Sequence, residues 1–391
     1  MNQMFFYASS FNQPVDHFVV DRVSNFQGMF ANAKSFNQPL TSWNTATAQD
    51  MSYMFFNSAF NQPVNQFLVD EVWNFENMFR QSPFNQPVSS WRTTSIMYMH
   101  RMFMDTPFNQ PINNFAVDKV IRFHEMFLRS PFNQSLDGWN TSSAIYMFQM
   151  FQNTPFNFSV MHFDVRKVTH FSGMFRSSAF NQSLDGWLTT SAWDMSLMFA
   201  DSPFNHPVSH FQVQGVQNFN QMFFASAFNQ DISSWSFGNK SSFDYMLSYA
   251  LYFDQNLCAW GSQSIFLNLP GVVDLFQGTA CPVQIIPNLH DKPFGPFCQS
   301  CCVLKSEACS ASSFCCSAQD GCFGSTKSSL TCKACAQNRE NCARNADCCG
   351  AMKRLKCDKS KRKCVRCLKK KARCKKRKKC CSNKCKKGRC K

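Results

Sequence analysis

Cysteine and the basic side chains carry most of the reactive chemistry of this 391-residue chain, and both are unevenly placed. None of the 22 cysteines precedes Cys258. From Cys302 onward one spacing recurs three times: Cys302, Cys309, Cys315-Cys316, Cys322, Cys332; then Cys335, Cys342, Cys348-Cys349, Cys357, Cys364; then Cys367, Cys374, Cys380-Cys381, Cys385, Cys390. Clustered thiols serve either disulfides or tetrahedral metal sites. The CxxC joints at Cys298, Cys332 and Cys364 are compatible with zinc, but no histidine follows His290, and adjacent Cys-Cys pairs suit cross-links better than a tetrahedron. Modules of 24 to 31 residues cannot build an adequate apolar core, so disulfides must supply the stability. That chemistry requires an oxidising compartment.

Charge divides at the same place. Residues 1–290 carry 12 Lys+Arg against 18 Asp+Glu, whereas residues 291–391 carry 28 against 6. Between Lys353 and Lys391 there are 22 basic residues and one acid, Asp358. Lys369, Lys370, Lys371, Arg373, Lys375, Lys376, Arg377, Lys378 and Lys379 form the densest group. Such density points to a polyanionic partner: acidic polysaccharide, anionic lipid headgroups, a mineral surface, or nucleic acid. Nucleic acid is the weakest of these, because no aromatic residue follows Phe323 to stack on bases.

Other chemistry is sparse. The eight histidines are His17, His100, His124, His162, His170, His206, His210 and His290. His17, His162 and His210 share one slot of a repeat, which predicts surface-loop positions too far apart to share a metal. Carboxylates and serines occur throughout without a recurring triad, so no enzyme and no cofactor is expected. Sequons stand at Asn133, Asn140, Asn157, Asn181 and Asn239. Of these, Asn140 and Asn239 are the better glycan acceptors.

The elements behind these residues are set by a repeat. Phe-Asn recurs at Phe11, Phe36, Phe60, Phe84, Phe108, Phe132, Phe156, Phe180, Phe204 and Phe228, with a variant at Phe253. The step is 24 residues, with one extra in the first and last intervals. A Met-Phe marker keeps the same beat from Met29 to Met222. Trp43, Trp91, Trp139, Trp187 and Trp235 recur every 48 residues, and Phe18, Phe67, Phe115, Phe163 and Phe211 take that slot in alternate units. The spacing of Val72, Phe75, Met78 and Phe79 puts them on one face of a helix or helical turn. The FNQPV segment then turns the chain to extended geometry.

A unit of this size cannot bury its apolar face alone, but stacked units share a continuous core. The predicted fold is an α/β solenoid, a leucine-rich-repeat-like stack of about eleven 24-residue coils followed by small disulfide-rich modules. The recurring asparagines (Asn12, Asn37, Asn61, Asn85, Asn109, Asn133, Asn157, Asn181, Asn205, Asn229) are expected to form a buried ladder that satisfies backbone groups between coils. The residue pairs before the Trp/Phe slot differ most between units and are expected on an exposed, ligand-facing surface: Asp16-His17, Thr41-Ser42, Asn65-Gln66, Ser89-Ser90, Asn113-Asn114, Met161-His162 and Ser209-His210.

The repeat string, MF-x-x-[ST]-[AP]-FNQ-[PS]-[VL]-x-x-[WF], resembles the BspA-like leucine-rich-repeat surface proteins of the mycoplasma-lipoprotein type. LCAWG at 257–261 and the segment Gly278 to Pro282 resemble the ending of such arrays. The resemblance implies an extracellular, non-enzymatic binding or adhesion scaffold with an unspecified protein or glycan ligand. The domains expected are a solenoid at 1–257, opening in mid-repeat without an N-terminal cap or signal peptide, a cap at 258–290 and a linker at 291–301. Three modules follow at 302–332, 335–364 and 367–391.

The tail spacing resembles tandem inhibitor cystine knots, or knottins. That resemblance implies pairing of first with fourth, second with fifth and third with sixth cysteine. The pairs are Cys302–Cys316, Cys309–Cys322 and Cys315–Cys332; Cys335–Cys349, Cys342–Cys357 and Cys348–Cys364; Cys367–Cys381, Cys374–Cys385 and Cys380–Cys390. Cys258–Cys281 is expected to staple the cap, and Cys298 and Cys301 have no assigned partner. Two functions are then open: a surface recognition protein anchored by its basic tail, or a solenoid carrying a membrane-active or inhibitory knottin effector.

Overall fold

A computed structural model of the chain describes residues 1–263, 272–284 and 297–298, together with the backbone of eight short strands between residues 302 and 390. The chain divides into two compact units, Met1–Phe294 and Gly295–Lys391.

In the first unit each 24-residue repeat lies against the next through the same set of hydrogen bonds. Nine parallel bridges, each one residue wide, link Asn25, Asp50, Asn74, Tyr98, Arg122, Tyr146, His170, Asp194, Asn218 and Ser242 in order. Beside this column runs the segment read as a helix or helical turn, and it forms linked turns in place of a continuous helix. The N–H groups of Phe75, Asn77, Phe79 and Gln81 donate to the carbonyls of Tyr98, His100, Met102 and Met104 in the following repeat. Those of Met78, Arg80 and Ser82 donate to carbonyls three residues back. Asn77 and Gln81 sit at φ 55° and 61°, and the same two positions are left-handed in successive repeats. A left-handed residue every fourth position converts helix into linked turns and frees half the donors for the neighbouring repeat. Val72, Phe75, Met78 and Phe79 are nevertheless all fully buried, since a four-residue turn period directs the same residues inward.

The core is aromatic. Within a repeat, Phe79 stacks on Phe84 at 3.7 Å between ring centroids, and between repeats Phe79 stacks on Phe103 at 5.9 Å. Trp91 and Phe115 occupy one column, 6.3 Å apart and nearly parallel. Each slot tryptophan donates its indole N–H to the preceding repeat, as Trp91 does to the Val64 carbonyl at 2.9 Å. A buried indole therefore loses no hydrogen bond. From Phe60 to Phe228 the Ser/Thr two residues before each FN motif closes the turn. Ser82 Oγ donates to the Phe79 carbonyl at 2.6 Å, and in other repeats the equivalent hydroxyl also accepts the Phe N–H, as Ser58 does from Phe60.

The regular frame ends beyond residue 253. A single 3-10 turn, Cys258–Ser262, is the helix found among the described residues. Residues 272–279 restore the turn run, with Tyr245 N–H bonded to the Val273 carbonyl at 2.8 Å. Cys281 takes the place of the Phe of the Phe-Asn motif: it is buried, and its N–H bonds to Thr279 Oγ1. Gln284 then stands in for a further repeat, accepting from Gly278 N–H and donating to the Thr279 carbonyl. Cys258, Cys281 and Cys298 are each disulfide-bonded.

In the second unit the described backbone forms four two-stranded pairs. Strand β1 (Cys302–Val303) runs parallel to β2 (Phe314–Cys315). Strands β3 (Asp320–Phe323) and β4 (Thr331–Ala334) form a hairpin with Cys322 opposite Cys332. Strands β5 (Leu355–Asp358) and β6 (Lys363–Arg366) place Cys357 opposite Cys364, and β7 (Cys385–Lys386) and β8 (Arg389–Cys390) place Cys385 opposite Cys390. The register of fifth against sixth cysteine is the same in all three modules.

Candidate functional site

The variable pairs lie on the surface. Thr41, Ser42, Asn65, Gln66, Ser89, Ser90, Asn113, Asn114, Met161 and His162 are exposed, and Asp16 and His210 are half-buried. Neighbouring pairs are cross-linked by hydrogen bonds. Ser90 N–H donates to Asn65 Oδ1 at 3.0 Å, Asn114 Nδ2 donates to the Ser89 carbonyl at 2.9 Å, and Ser42 N–H donates to Asp16 Oδ1 at 2.8 Å. The Asp16 carboxyl is held below its usual range, chiefly by the Ser42 N–H. His162 and His210 each place Nε2 3.0 Å from a leucine carbonyl of the repeat before.

The asparagines accept in series. Asn85 N–H donates to Asn61 Oδ1, Asn109 N–H to Asn85 Oδ1 and Asn133 N–H to Asn109 Oδ1, at 2.9 to 3.0 Å. The following glutamine adds a second bond, as Gln134 Nε2 does to Asn109 Oδ1 at 3.1 Å. These side chains are not buried. Asn61, Asn85, Asn109, Asn133 and Asn229 are half-exposed, and Asn37, Asn157, Asn181 and Asn205 are exposed. The Phe before each Asn fills the core, which leaves its neighbour facing water.

A second surface, not anticipated from the sequence, lies over the turn runs in the middle of the array. His100 is buried there. Its Nε2 is 3.1 Å from Glu76 Oε1, which also accepts from Tyr53 Oη at 2.8 Å. The His100 contact is the largest cause of a Glu76 carboxyl lowered to about 2. His124 stacks on His100 at 4.4 Å and on Phe148 at 4.4 Å, and burial pushes its pKa down to about 3. Arg101 and Glu125 pair through two bonds, as do Arg129 and Asp105.

Outside this network the bridge column turns planar. Trp73 meets Tyr98 edge-on at 6.0 Å, and the Arg122 guanidinium lies 5.1 Å from the centre of the Tyr98 ring. Tyr146 lies 5.5 Å from His170, which lies 5.3 Å from Trp193. The sequence signal for this surface is variation at fixed repeat positions, the same signal that marks the variable pairs.

Among the described residues no three His, Cys, Asp or Glu side chains stand together as a metal site, and no helix is long and apolar enough to cross a membrane. Asn140 is exposed and its Oδ1 accepts the Ser142 N–H, and Asn239 is exposed. Asn133, Asn157 and Asn181 have their side-chain oxygens engaged in the asparagine series. The nine tail pairings from Cys302–Cys316 to Cys380–Cys390, the basic group Lys369 to Lys379, and His290 and Cys301 rest on side chains outside the described residues.

The repeats match one family model three times over, across residues 1–83, 56–160 and 153–260; it is described as Mycoplasma protein of unknown function, DUF285. No curated protein and no solved structure matches the chain. The matched residues make up most of its length and are the ones that build the stacked repeats, so this chain belongs to the DUF285 repeat family.

Proposed function

We propose that this chain is a secreted or cell-surface recognition and adhesion protein without catalytic activity, built as a BspA-like, leucine-rich-repeat solenoid whose helical segments are replaced by linked turns. The array displays the ligand-binding surface, a Cys258–Cys281 staple closes it, and the basic tail, folded as three knottins, anchors the protein to polyanionic surfaces. One observation carries the reading: the frame that repeats is buried, whereas the paired positions that change most from repeat to repeat lie on the surface. Repeat arrays bind through extended faces of this kind.

The test uses the full chain on immobilised heparin. Retention is expected to fall steeply with salt, because neutralising a polyanion releases counterions. Reduction of the disulfides is expected to weaken retention, because an unlinked tail must be ordered during binding rather than beforehand. Retention indifferent to salt, or lost on addition of a chelator, overturns the anchoring reading and returns the thiols to metal chemistry.

A further inference from the structure

Six consecutive repeats place a planar side chain at or beside the bridge column: Trp73, Tyr98, Arg122, Tyr146, His170 and Trp193. Before and after this run the column carries Asn25, Asp50, Asn218 and Ser242 instead. Two of the eight tryptophans, Trp73 and Trp193, are exposed, at 38% and 45%, and they close the two ends of the strip. The other six are buried. A half-exposed tryptophan forgoes much of the burial energy that a core position supplies, so the frame does not account for these two.

Charge narrows the partner. Residues 51–200 carry nine Lys+Arg against ten Asp+Glu; beside the strip Arg101 pairs with Glu125 and Arg129 with Asp105, and within it Arg122 lies against the Tyr98 ring. Phosphate backbones require an excess of cations that this face lacks. An extended peptide added to a sheet edge requires free backbone groups, and here successive repeats bond to one another along the column. A neutral polymer with flat C–H faces and hydroxyl edges fits what is present. The faces of aromatic rings carry negative charge density that attracts such C–H groups, and Arg, His, Asn and Asp serve hydroxyls. Neighbouring repeats lie about 4.8 Å apart, as adjacent strands do, which is the length scale of a single sugar ring.

We propose that the face between Trp73 and Trp193 binds a linear, uncharged polysaccharide, with successive sugars lying along the six planar side chains. This rests on the reading of the array as a recognition surface and supplies the ligand class for it. The heparin test addresses the tail, so failure there is told apart from failure here.

The experiment titrates the full chain with cellohexaose, mannohexaose and laminarihexaose by calorimetry, with tryptophan emission followed in parallel. Saturable binding of at least one is expected, with a blue shift from the two exposed indoles. Trp73→Ala and Trp193→Ala should each weaken it about tenfold, the scale of a truncated aromatic anchor. Arg122→Gln should weaken it less, and Asn114→Ala, on the other surface, should leave it unchanged. Thermal melts of the variants should match the parent, because the replaced side chains lie outside the core. Absence of binding to all three sugars, or undiminished affinity in both tryptophan variants, overturns the proposal. So does binding of oligothymidylate that the same variants abolish, which assigns the strip to nucleic acid.

Discussion

Single side chains in the middle of the array couple stability to pH. Glu76 is lowered to about 2 from an ordinary 4.5, so its contribution is complete above the latter value and is lost as pH falls toward the former. His124 is lowered to about 3 from 6.5. The unfolded chain takes up that proton first, and stability therefore begins to fall once pH drops below 6.5. Both groups act in one direction, but in different windows. Chemical-denaturation midpoints measured from pH 8 to pH 3, a range of about this size being usual for linkage, should separate them. In His124→Phe the loss between 6.5 and 4.5 should vanish and the acid limb should remain; an unchanged profile would refute the role given to His124. Asn109 offers a second residue-scale test. Asn109→Ala removes the acceptor for Asn133 N–H and for Gln134 Nε2, at a cost of roughly 0.5–1.5 kcal/mol for a half-exposed site. Asn114→Ala should cost less than about 0.5 kcal/mol. Equal melting temperatures would mean that the asparagine series adds nothing to stability.

At the scale of the repeat, glycine marks where backbones meet. A Cβ on Gly138 would stand 2.2 Å from the Asn113 carbonyl oxygen, and one on Gly186 would stand 2.5 Å from that of Met161. Neither neighbour is a flexible side-chain end, so Gly138→Ala should destabilise by about 1–3 kcal/mol, the usual cost of overpacking. Urea midpoints will show it, and a neutral result would mean that repeats slide apart easily. These same elements show how much of the fold is written in the sequence. The 24-residue step, the inward set Val72, Phe75, Met78 and Phe79, and the exposure of Asn65-Gln66 and Asn113-Asn114 all follow from side-chain type and spacing. Linked turns are invisible to that reasoning, because a period of four and one of 3.6 diverge little over two turns. Nothing marks Tyr53 at φ 57° or Leu197 at φ 58° as left-handed either; a bulky residue tolerates that geometry only where the neighbouring repeat fixes it. The planar strip escaped for another reason: the 24-residue step puts Tyr98, Arg122, Tyr146 and His170 at one repeat position, but they differ in type, and only the bridge column shows that Trp73 and Trp193, one residue off that position, stand beside them.

For the molecule as a whole, contacts confined to adjacent repeats imply stability that adds along the chain. Trp91→Phe and Trp187→Phe each remove an indole bond to a carbonyl one repeat back, and the two positions lie four repeat steps apart. Their destabilisations should add within about 0.5 kcal/mol in the double variant, as for independent sites. Coupling beyond that would require communication through the intervening core. The division of charge bears on the same scale. An acidic array of net −6 is repelled by a polyanion, and a basic remainder of net +22 is attracted to one.

The bridge column is one residue wide, and its donors and acceptors are consumed between successive repeats. Ordinary sheets end in an exposed strand, a row of unpaired amides that templates other chains into fibrils. Here each bridge is bounded by turns on both sides, and the hydrogen bonds run along the array instead of out through its flanks. A foreign extended segment finds no register to join laterally. Along the described repeats the stacked rings are thereby carried without a lateral growth face for cross-β aggregation.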